Sequence, residues 1–325
     1  MSERTDPSQM NNEPQKLHAM GFGELLDTTF SLYRAHFRSF LVITSVYCVA
    51  MLIVFSIVFL DDSVGRGARI AIWISTISVI FGVSVFVVTG LVFASAEVYL
   101  DGRIRTGAVL RQGMRRFFQC FIGSLLFGLI ACLSLLLTNI LFAVLVDAYI
   151  TTVGIGGVNV FLLNFTVGLV FVIIIVYFAG FFLPYWSFFV STVSLEERSM
   201  RVGLRRSREL IRGTRLRVVG MVLAIFLLSL AIGVIFRIAF GFLLSLTEHV
   251  GMMEFLKTFR WTTYSQLLEN QSETSLSYVL MYLINVGVDT FTMPIWVIGC
   301  TLLYFDQRIR KERFDLEMMA THKDE

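Results

Sequence analysis

Residues 39–60 read SFLVITSVYCVAMLIVFSIVFL, a stretch of 22 residues without a single charged side chain. As an α-helix it would be about 33 Å long, enough to cross the roughly 30 Å hydrocarbon core of a bilayer. A helix with one face in water would instead show polar residues once per turn. The stretch therefore predicts a transmembrane helix.

Five further apolar stretches follow, of which three are uncharged and two are each interrupted by one charge. They lie at residues 70–96, 117–146, 148–195, 218–246 and 278–303. The third of these is long enough for one span and a loop. With 56% hydrophobic and 16% charged residues, the chain lies outside the composition of soluble domains, which are about 25% charged. The sequence predicts an all-α integral membrane protein with six transmembrane helices.

The basic residues alternate between segments in a way that predicts the orientation. Lys and Arg of short loops stay on the cytoplasmic side of a membrane. Of the 27 Lys and Arg residues, 22 lie in the N-terminal segment, the second and fourth connections, and the C-terminal segment. An even number of spans with both termini in the cytoplasm fits this pattern, and we expect the protein in the inner membrane of a bacterium-like cell.

Three units with a shared layout divide the membrane domain, residues 21–316. Each unit, at 21–105, 106–200 and 201–316, has a basic amphipathic stretch, an outgoing span and a returning span. The returning spans end alike, at residues 99–103, 194–198 and 304–308, with an acidic and then a basic residue. The layout predicts three hairpins, each preceded by an in-plane cytoplasmic helix, between short tails at 1–20 and 317–325.

The amphipathic stretches place apolar residues at helical spacing and arginines on the other face. The first has Phe22, Leu26, Phe30, Tyr33 and Phe37. Such helices bind anionic lipid headgroups or an acidic partner protein. The candidate contacts are Arg201, Arg205, Arg206, Arg208, Arg212, Arg115 and Arg116. The sequence alone favours the simpler interpretation that these arginines only fix the topology.

Asp289, Asn285 and Arg237 form a candidate polar site within the spans. Counted from the ends of its apolar stretch, Asp289 lies near the bilayer midplane, whereas Arg237 lies near the outer interface. The two depths differ by roughly 13 Å, which disfavours an ion pair because it exceeds the reach of one arginine. Carboxylates inside membranes are costly and often functional. A structural role for Asp289 and a role in an ion or proton pathway both remain open.

Motifs for chemistry are missing from the sequence. The four histidines, His18, His36, His249 and His322, are scattered, and no HExxH, Walker or GxSxG motif occurs. The four cysteines lie in or at the ends of apolar stretches without metal-site spacing. We therefore expect no catalytic residue, no metal, no cofactor and no nucleic-acid partner. An enzyme ranks last among the possible functions.

Two short segments carry a resemblance to a known family. One is Leu204-Arg205-Arg206-Ser207, followed by Leu210, Ile211 and Gly213; the other is residues 304–311, YFDQRIRK, with Asp315 beyond. Here the chain resembles the membrane domain attached to some glycerophosphoryl diester phosphodiesterases, and related multi-span bacterial membrane proteins. The resemblance covers roughly residues 20–316 and implies an accessory or partner-binding membrane module. The catalytic barrel of the fused enzymes has no counterpart in these residues, so no catalytic residue carries over.

Two functions from different classes follow from the sequence. The first is a non-catalytic membrane protein that interacts with anionic lipid and docks a membrane or cytoplasmic partner. The second is a transporter of a lipid-like or other small molecule, because repeated hairpins often build transporters with sites at the repeat interface. In the second case Asp289 would be the coupling or binding group.

Overall fold

The computed structural model describes residues 20–59, 66–101, 106–153, 180, 182–196, 199–246 and 276–312. Every regular element in these ranges is an α-helix. The helices are α1 (Phe22–Ala35), α2 (Phe37–Phe59), α3 (Arg66–Asp101), α4 (Thr106–Val153), α5 (Phe182–Leu195), α6 (Met200–Ile211), α7 (Arg215–Ser245) and α8 (Leu276–Glu312).

Five of these helices contain segments long and apolar enough to cross a membrane. The segments are Phe37–Ile57, Ile74–Leu100, Thr106–Ser134, Arg215–Leu244 and Val279–Lys311. The prediction of an all-helical, multi-pass membrane protein is thereby confirmed. The remaining predicted span, within residues 148–195, lies partly outside the described residues, and α5 is its described end. The count of six spans and their pairing into hairpins stay predictions.

Two helices show a continuous apolar stripe on the outside of the bundle, as lipid contact requires. On α4 the exposed residues are Phe118, Ile122, Leu125, Leu129, Leu133, Leu136, Ile140 and Val144. On α2 they are Val42, Val46, Val49, Ile53 and Ile57. In water such surfaces would drive aggregation, whereas in lipid they cost nothing. Each stripe is preceded on the same face by exposed arginine, Arg115 on α4 and Arg38 on α2.

Helix α8 is the central helix of the described bundle. It contacts α1, α2, α3, α6 and α7, and its second half is almost completely buried from Ile295 to Phe305. Ring contacts fix the neighbours of this half, with Tyr99 of α3 5.3 Å from Phe305 and Trp186 of α5 5.9 Å from Trp296. We call the end of the bundle that carries α6, the start of α7 and residues 304–312 the arginine-rich end.

Glycines allow the helices to approach closely at two crossings. A Cβ at Gly123 of α4 would lie 2.0 Å from Cζ of Phe189 in α5, and one at Gly299 of α8 would lie 2.8 Å from Ile225 in α7. Small residues at helix crossings are typical of membrane bundles because close packing replaces the hydrophobic effect there.

Helix α1 lies along α8, antiparallel to it, instead of across the end of the bundle. The backbone N–H of Met20, at its start, donates to Asp306, and the hydroxyl of Tyr33, near its end, donates to the carbonyl of Phe291. The two contact points are 13 residues apart on α1 and 15 on α8, or about 20 Å and 22 Å. This orientation differs from that of the predicted in-plane helix. Of the predicted apolar stripe, Tyr33 is buried against the bundle, whereas Phe22 and Phe30 are exposed.

The other two predicted amphipathic helices differ from each other in the structure. In the second unit no separate helix forms, since α4 runs without a break from Thr106 into its apolar segment. In the third unit α6 is separate from α7. Gly213 allows this break because it has a positive φ of 88°, which other residues rarely adopt. Sequence periodicity cannot distinguish an amphipathic helix from the first turns of a longer one.

Candidate functional site

A buried carboxylate joins three parts of the chain at the arginine-rich end. Asp306 of α8 is fully buried. Its carboxylate accepts hydrogen bonds from the Met20 N–H at 2.8 Å and from Nε of Arg310 at 3.0 and 2.9 Å, and Arg217 lies 3.7 Å away. Arg310 and Arg217 also donate to the carbonyl of Met20, at 2.8 and 3.2 Å. Two guanidinium groups thus compensate a charge that burial would otherwise make costly.

A second carboxylate, that of Glu196, is held in a similar way just beyond α5. The hydroxyl of Tyr304 donates to it at 2.6 Å. Nε of Arg308 and Nε of Arg206 lie 3.6 and 3.5 Å from its oxygens. Because Arg206 belongs to α6 and the other two residues to α8, this cluster attaches α6 to the central helix.

Lys311 makes a further link between α6 and α8. Its ammonium group donates to the carbonyl of Glu209, at 2.7 Å, and to that of Arg212. The last carbonyls of a helix lack partners within the helix and carry the negative end of its dipole. Lys311 therefore satisfies and neutralises the end of α6.

The four arginines of α6 and Arg212, which caps its C-terminus, divide into one that faces inward and four that face outward. Arg206 is directed at Glu196, as described above. The outward arginines are spaced by four, three and four residues, so they form one stripe; they are Arg201, Arg205, Arg208 and Arg212, and all are exposed. The opposite face buries Gly203, Ser207, Leu210 and Ile211. The sequence named all five arginines as headgroup or partner contacts, but the structure places only four on a free surface.

The outward stripe carries little compensating negative charge. Arg205 has an exposed pair with Glu209, at 3.5 Å, which water largely screens. Among the described residues no carboxylate lies within ion-pair distance of Arg201, Arg208 or Arg212. The stripe is about 16 Å long, so it presents a row of positive charge along one helix.

Arg115 and Arg116, the remaining predicted contacts, lie on α4. Arg115 is exposed and, with Arg111, continues the apolar stripe of α4 on the same face. Arg116 is half-buried. Only Arg115 of the two has the geometry of a side chain that reaches headgroups where an apolar surface ends.

The three predicted residues of the intramembrane site come together in the structure. The guanidinium of Arg237 on α7 donates from Nε to Oδ1 of Asn285 on α8 at 2.9 Å, and from Nη2 to the carboxylate of Asp289. Gly233 makes room for it, since a Cβ there would lie 3.1 Å from Nη1 of Arg237. One guanidinium therefore binds an amide and a carboxylate one turn apart.

The contact between Arg237 and Asp289 contradicts the estimated depth difference. That estimate measured the two residues from opposite ends of their spans. The structure supplies a common reference, because Arg217 and Asp306 are in contact. From there Arg237 is 20 residues along α7 and Asp289 is 17 along α8, a difference of about 4.5 Å, which an arginine side chain spans easily.

The two buried carboxylates were visible in the sequence but not as a site. Glu196 and Asp306 belong to the acidic-then-basic pattern that ends the returning spans. In the sequence that pattern indicates only the repeats. The pattern could have indicated ion pairs, because a carboxylate next to the end of an apolar span needs a partner. Which arginines serve as partners depends on the tertiary structure.

Comparisons with protein-family models, with curated proteins and with solved structures found no match to this chain.

Proposed function

We propose that the protein is a non-catalytic, multi-pass inner-membrane protein whose arginine stripe on α6 binds anionic lipid headgroups. In this role it serves as an accessory module that docks a membrane or cytoplasmic protein partner. Both termini and α6 then lie in the cytoplasm, where anionic lipid gives the membrane surface its negative potential. The resemblance to the membrane domain of glycerophosphoryl diester phosphodiesterases implies the same kind of accessory role.

The observation that carries the proposal is the division of the arginines into two groups. Arg206, Arg217 and Arg310 face carboxylates and stabilise the fold. The four arginines of the α6 stripe face outward, and among the described residues only Arg205 has a carboxylate within ion-pair distance. A stripe that only marked topology would not need to share one helix face.

The electrostatic attraction between the α6 stripe and an anionic membrane surface is large enough to support binding. A basic residue near an anionic membrane surface contributes about 1 kcal/mol, so four contribute about 4 kcal/mol before competition from salt. Guanidinium groups bind phosphate oxygens through paired hydrogen bonds, which an ammonium group cannot do as well. α6 is held to α8 by Glu196 and Lys311, so the stripe is a fixed surface.

Native mass spectrometry of the protein purified in gentle detergent tests the proposal. We expect the wild type to retain phosphatidylglycerol or cardiolipin in preference to phosphatidylcholine. The variant with Arg201, Arg205, Arg208 and Arg212 all changed to Gln should lose most of that preference. The matched variant with the same four positions changed to Lys should keep most of it, because the charge remains.

A Gln variant that folds like the wild type and retains the same anionic lipid would contradict the proposal. High salt provides an independent measurement, since headgroup binding to an exposed stripe weakens as charges are screened. Proteins that co-purify with the wild type and not with the Gln variant would identify the docking partner.

A second candidate function is a carrier for a lipid-like or other small molecule. The contact of Arg237 with Asp289 and Asn285 favours it, because charged groups within spans often mark substrate or ion pathways. Flux into proteoliposomes is the test. A carrier that depends on this site should lose flux in Asp289→Asn, whereas unchanged flux would remove Asp289 from the mechanism.

A further inference from the structure

Helix α1 presents a row of four polar residues to the outside, flanked by the exposed rings of Phe22 and Phe30. Glu24, Asp27, Ser31 and Arg34 follow one another at intervals of three, four and three residues, and all four are exposed. The opposite face buries Leu25, Thr29 and Tyr33 against the bundle. Three of the four outward residues carry a formal charge.

Two contacts mark the ends of the stretch of α8 that α1 covers. Met20 marks the level of Asp306, and Tyr33 marks the level of Phe291. Phe37, the first residue of α2, also packs on Phe291, with ring centroids 5.0 Å apart. The stretch of α8 between these levels is 15 residues, or about 22 Å.

Helix α7 lies along the same stretch of α8. Arg217 marks the level of Asp306, and the ring of Phe236 lies 6.2 Å from that of Phe291. Between Arg217 and Phe236 the sequence of α7 contains no charged residue. Its outward residues there include Leu227 and Leu230, which are 53% and 43% exposed.

The outward residues of α1 and of α7 therefore fit different surroundings at one level of the bundle. A charged side chain facing hydrocarbon costs roughly 2.5–3.5 kcal/mol at the centre of a span, so the outer face of α1 is incompatible with acyl chains. The apolar face of α7 fits them. On the α1 side, Phe22 and Phe30 are exposed singly, and the continuous exposed apolar stripe starts at Val42 of α2, just beyond Arg38.

We propose that water and lipid headgroups reach about 22 Å further along α8 on the α1 side than on the α7 side. Arg34 and Arg38, at the junction of α1 and α2, are then the side chains that meet the headgroup phosphates on that side. The bilayer boundary follows a step or a steep slope around the protein. This inference does not depend on whether the α6 stripe binds lipid.

Single cysteines at matched levels test the step. Ser31 is 11 residues from Met20 and Leu227 is 10 residues from Arg217, so both lie about 15 Å from the level of Asp306. The background is the full chain with Cys48, Cys120, Cys132 and Cys300 changed to Ala. Ser31→Cys and Leu227→Cys are treated, in membrane vesicles of each orientation, with a charged maleimide that cannot cross a bilayer. Arg208→Cys on α6 is the positive control.

We expect Ser31→Cys to react from the same side as Arg208→Cys, and Leu227→Cys to react at least about tenfold more slowly. Equal, slow reaction at positions 31 and 227 in a folded protein would overturn the inference, because α1 would then not face water. Equal, fast reaction would also overturn it, because hydrocarbon would then not cover α7. If the cysteine-free background does not fold, the same substitutions are made in the wild-type chain. Their reaction is then compared with that of the unsubstituted wild-type chain, treated with the same maleimide, which reports the native cysteines alone.

Nitroxide labels at the same two positions give a second measurement. Collisions with a water-soluble nickel chelate should dominate at position 31, and collisions with oxygen, which concentrates in hydrocarbon, should dominate at position 227. The same accessibility at both positions would overturn the inference independently of thiol reactivity.

Discussion

The backbone N–H of Met20 lies 2.8 Å from Oδ1 of Asp306, 286 residues later in the chain. This hydrogen bond fixes the start of α1 to the end of α8. The same carboxylate holds Arg310 and Arg217, so a single side chain ties together the first helix, the start of α7 and the last helix.

Asp306→Asn should therefore destabilise the protein by about 2 kcal/mol, because it leaves two guanidinium groups without their carboxylate. The partial exposure of Arg217 and Arg310 keeps the loss below that of a fully buried pair. Thermal unfolding in detergent measures this change in stability. The readout is the fraction of protein that remains monodisperse after heating. Glu209→Gln, which removes an exposed carboxylate, is the matched control and should have little effect. Equal stability of both variants would show that the Asp306 cluster is not important for the fold.

The contact between Arg237 and Asp289 predicts non-additive effects of mutation. Arg237→Met or Asp289→Leu alone leaves an uncompensated charge at a partly exposed site within the spans, and we expect a loss of about 1–3 kcal/mol for each. The double variant removes both charges and should be more stable than either single variant. Unfolding in nanodiscs provides the four values of the cycle. Additive losses would mean that the two residues do not interact in the membrane.

Two glycines of α4 predict opposite results from the same change. Gly123→Ala places a methyl group 2.0 Å from the buried ring of Phe189, so the crossing of α4 and α5 must open, at a cost of about 1–3 kcal/mol. Gly128→Ala meets no atom within 4 Å and should be neutral or slightly stabilising, because Ala favours the helix. Thermal unfolding compares the two. A tolerated Gly123→Ala would show that α5 packs elsewhere.

Tyr33 predicts a loss of stability in alkali. Burial raises the pKa of its hydroxyl to about 12, while the unfolded chain keeps a value near 10. The folded state thus favours the neutral phenol. The contribution of this group to the free energy of unfolding is complete below pH 10 and is lost as the pH rises through 12. The loss amounts to about 2–3 kcal/mol.

Unfolding of the wild type and of Tyr33→Phe between pH 8 and 12 isolates this group from other alkaline effects. The variant lacks the hydrogen bond to Phe291, so it should be less stable at pH 8, and the gap should narrow as the pH increases. A gap that stays constant over the range would mean that Tyr33 ionises normally and that α1 does not pack on α8 as described.

The sequence by itself determined the class of the protein and the chemical character of each segment. Uncharged stretches as long as residues 39–60 admit few structures other than helices in lipid, because a backbone in hydrocarbon must satisfy its own hydrogen bonds. Helical spacing in residues 22–37 and 200–211 likewise predicted amphipathic helices, since periodicity is a local property.

Only the tertiary structure decided which charges are partners and which are free. Arg206 and Arg205 are neighbours in sequence, but one is directed at Glu196 and the other faces outward. Arg237 reaches Asp289 because contacts at the other end of the bundle set the register of α7 against α8, and α1 lies along α8 because Asp306 and Phe291 hold both its ends. These relationships depend on how separate helices pack, and no periodicity within one helix records that.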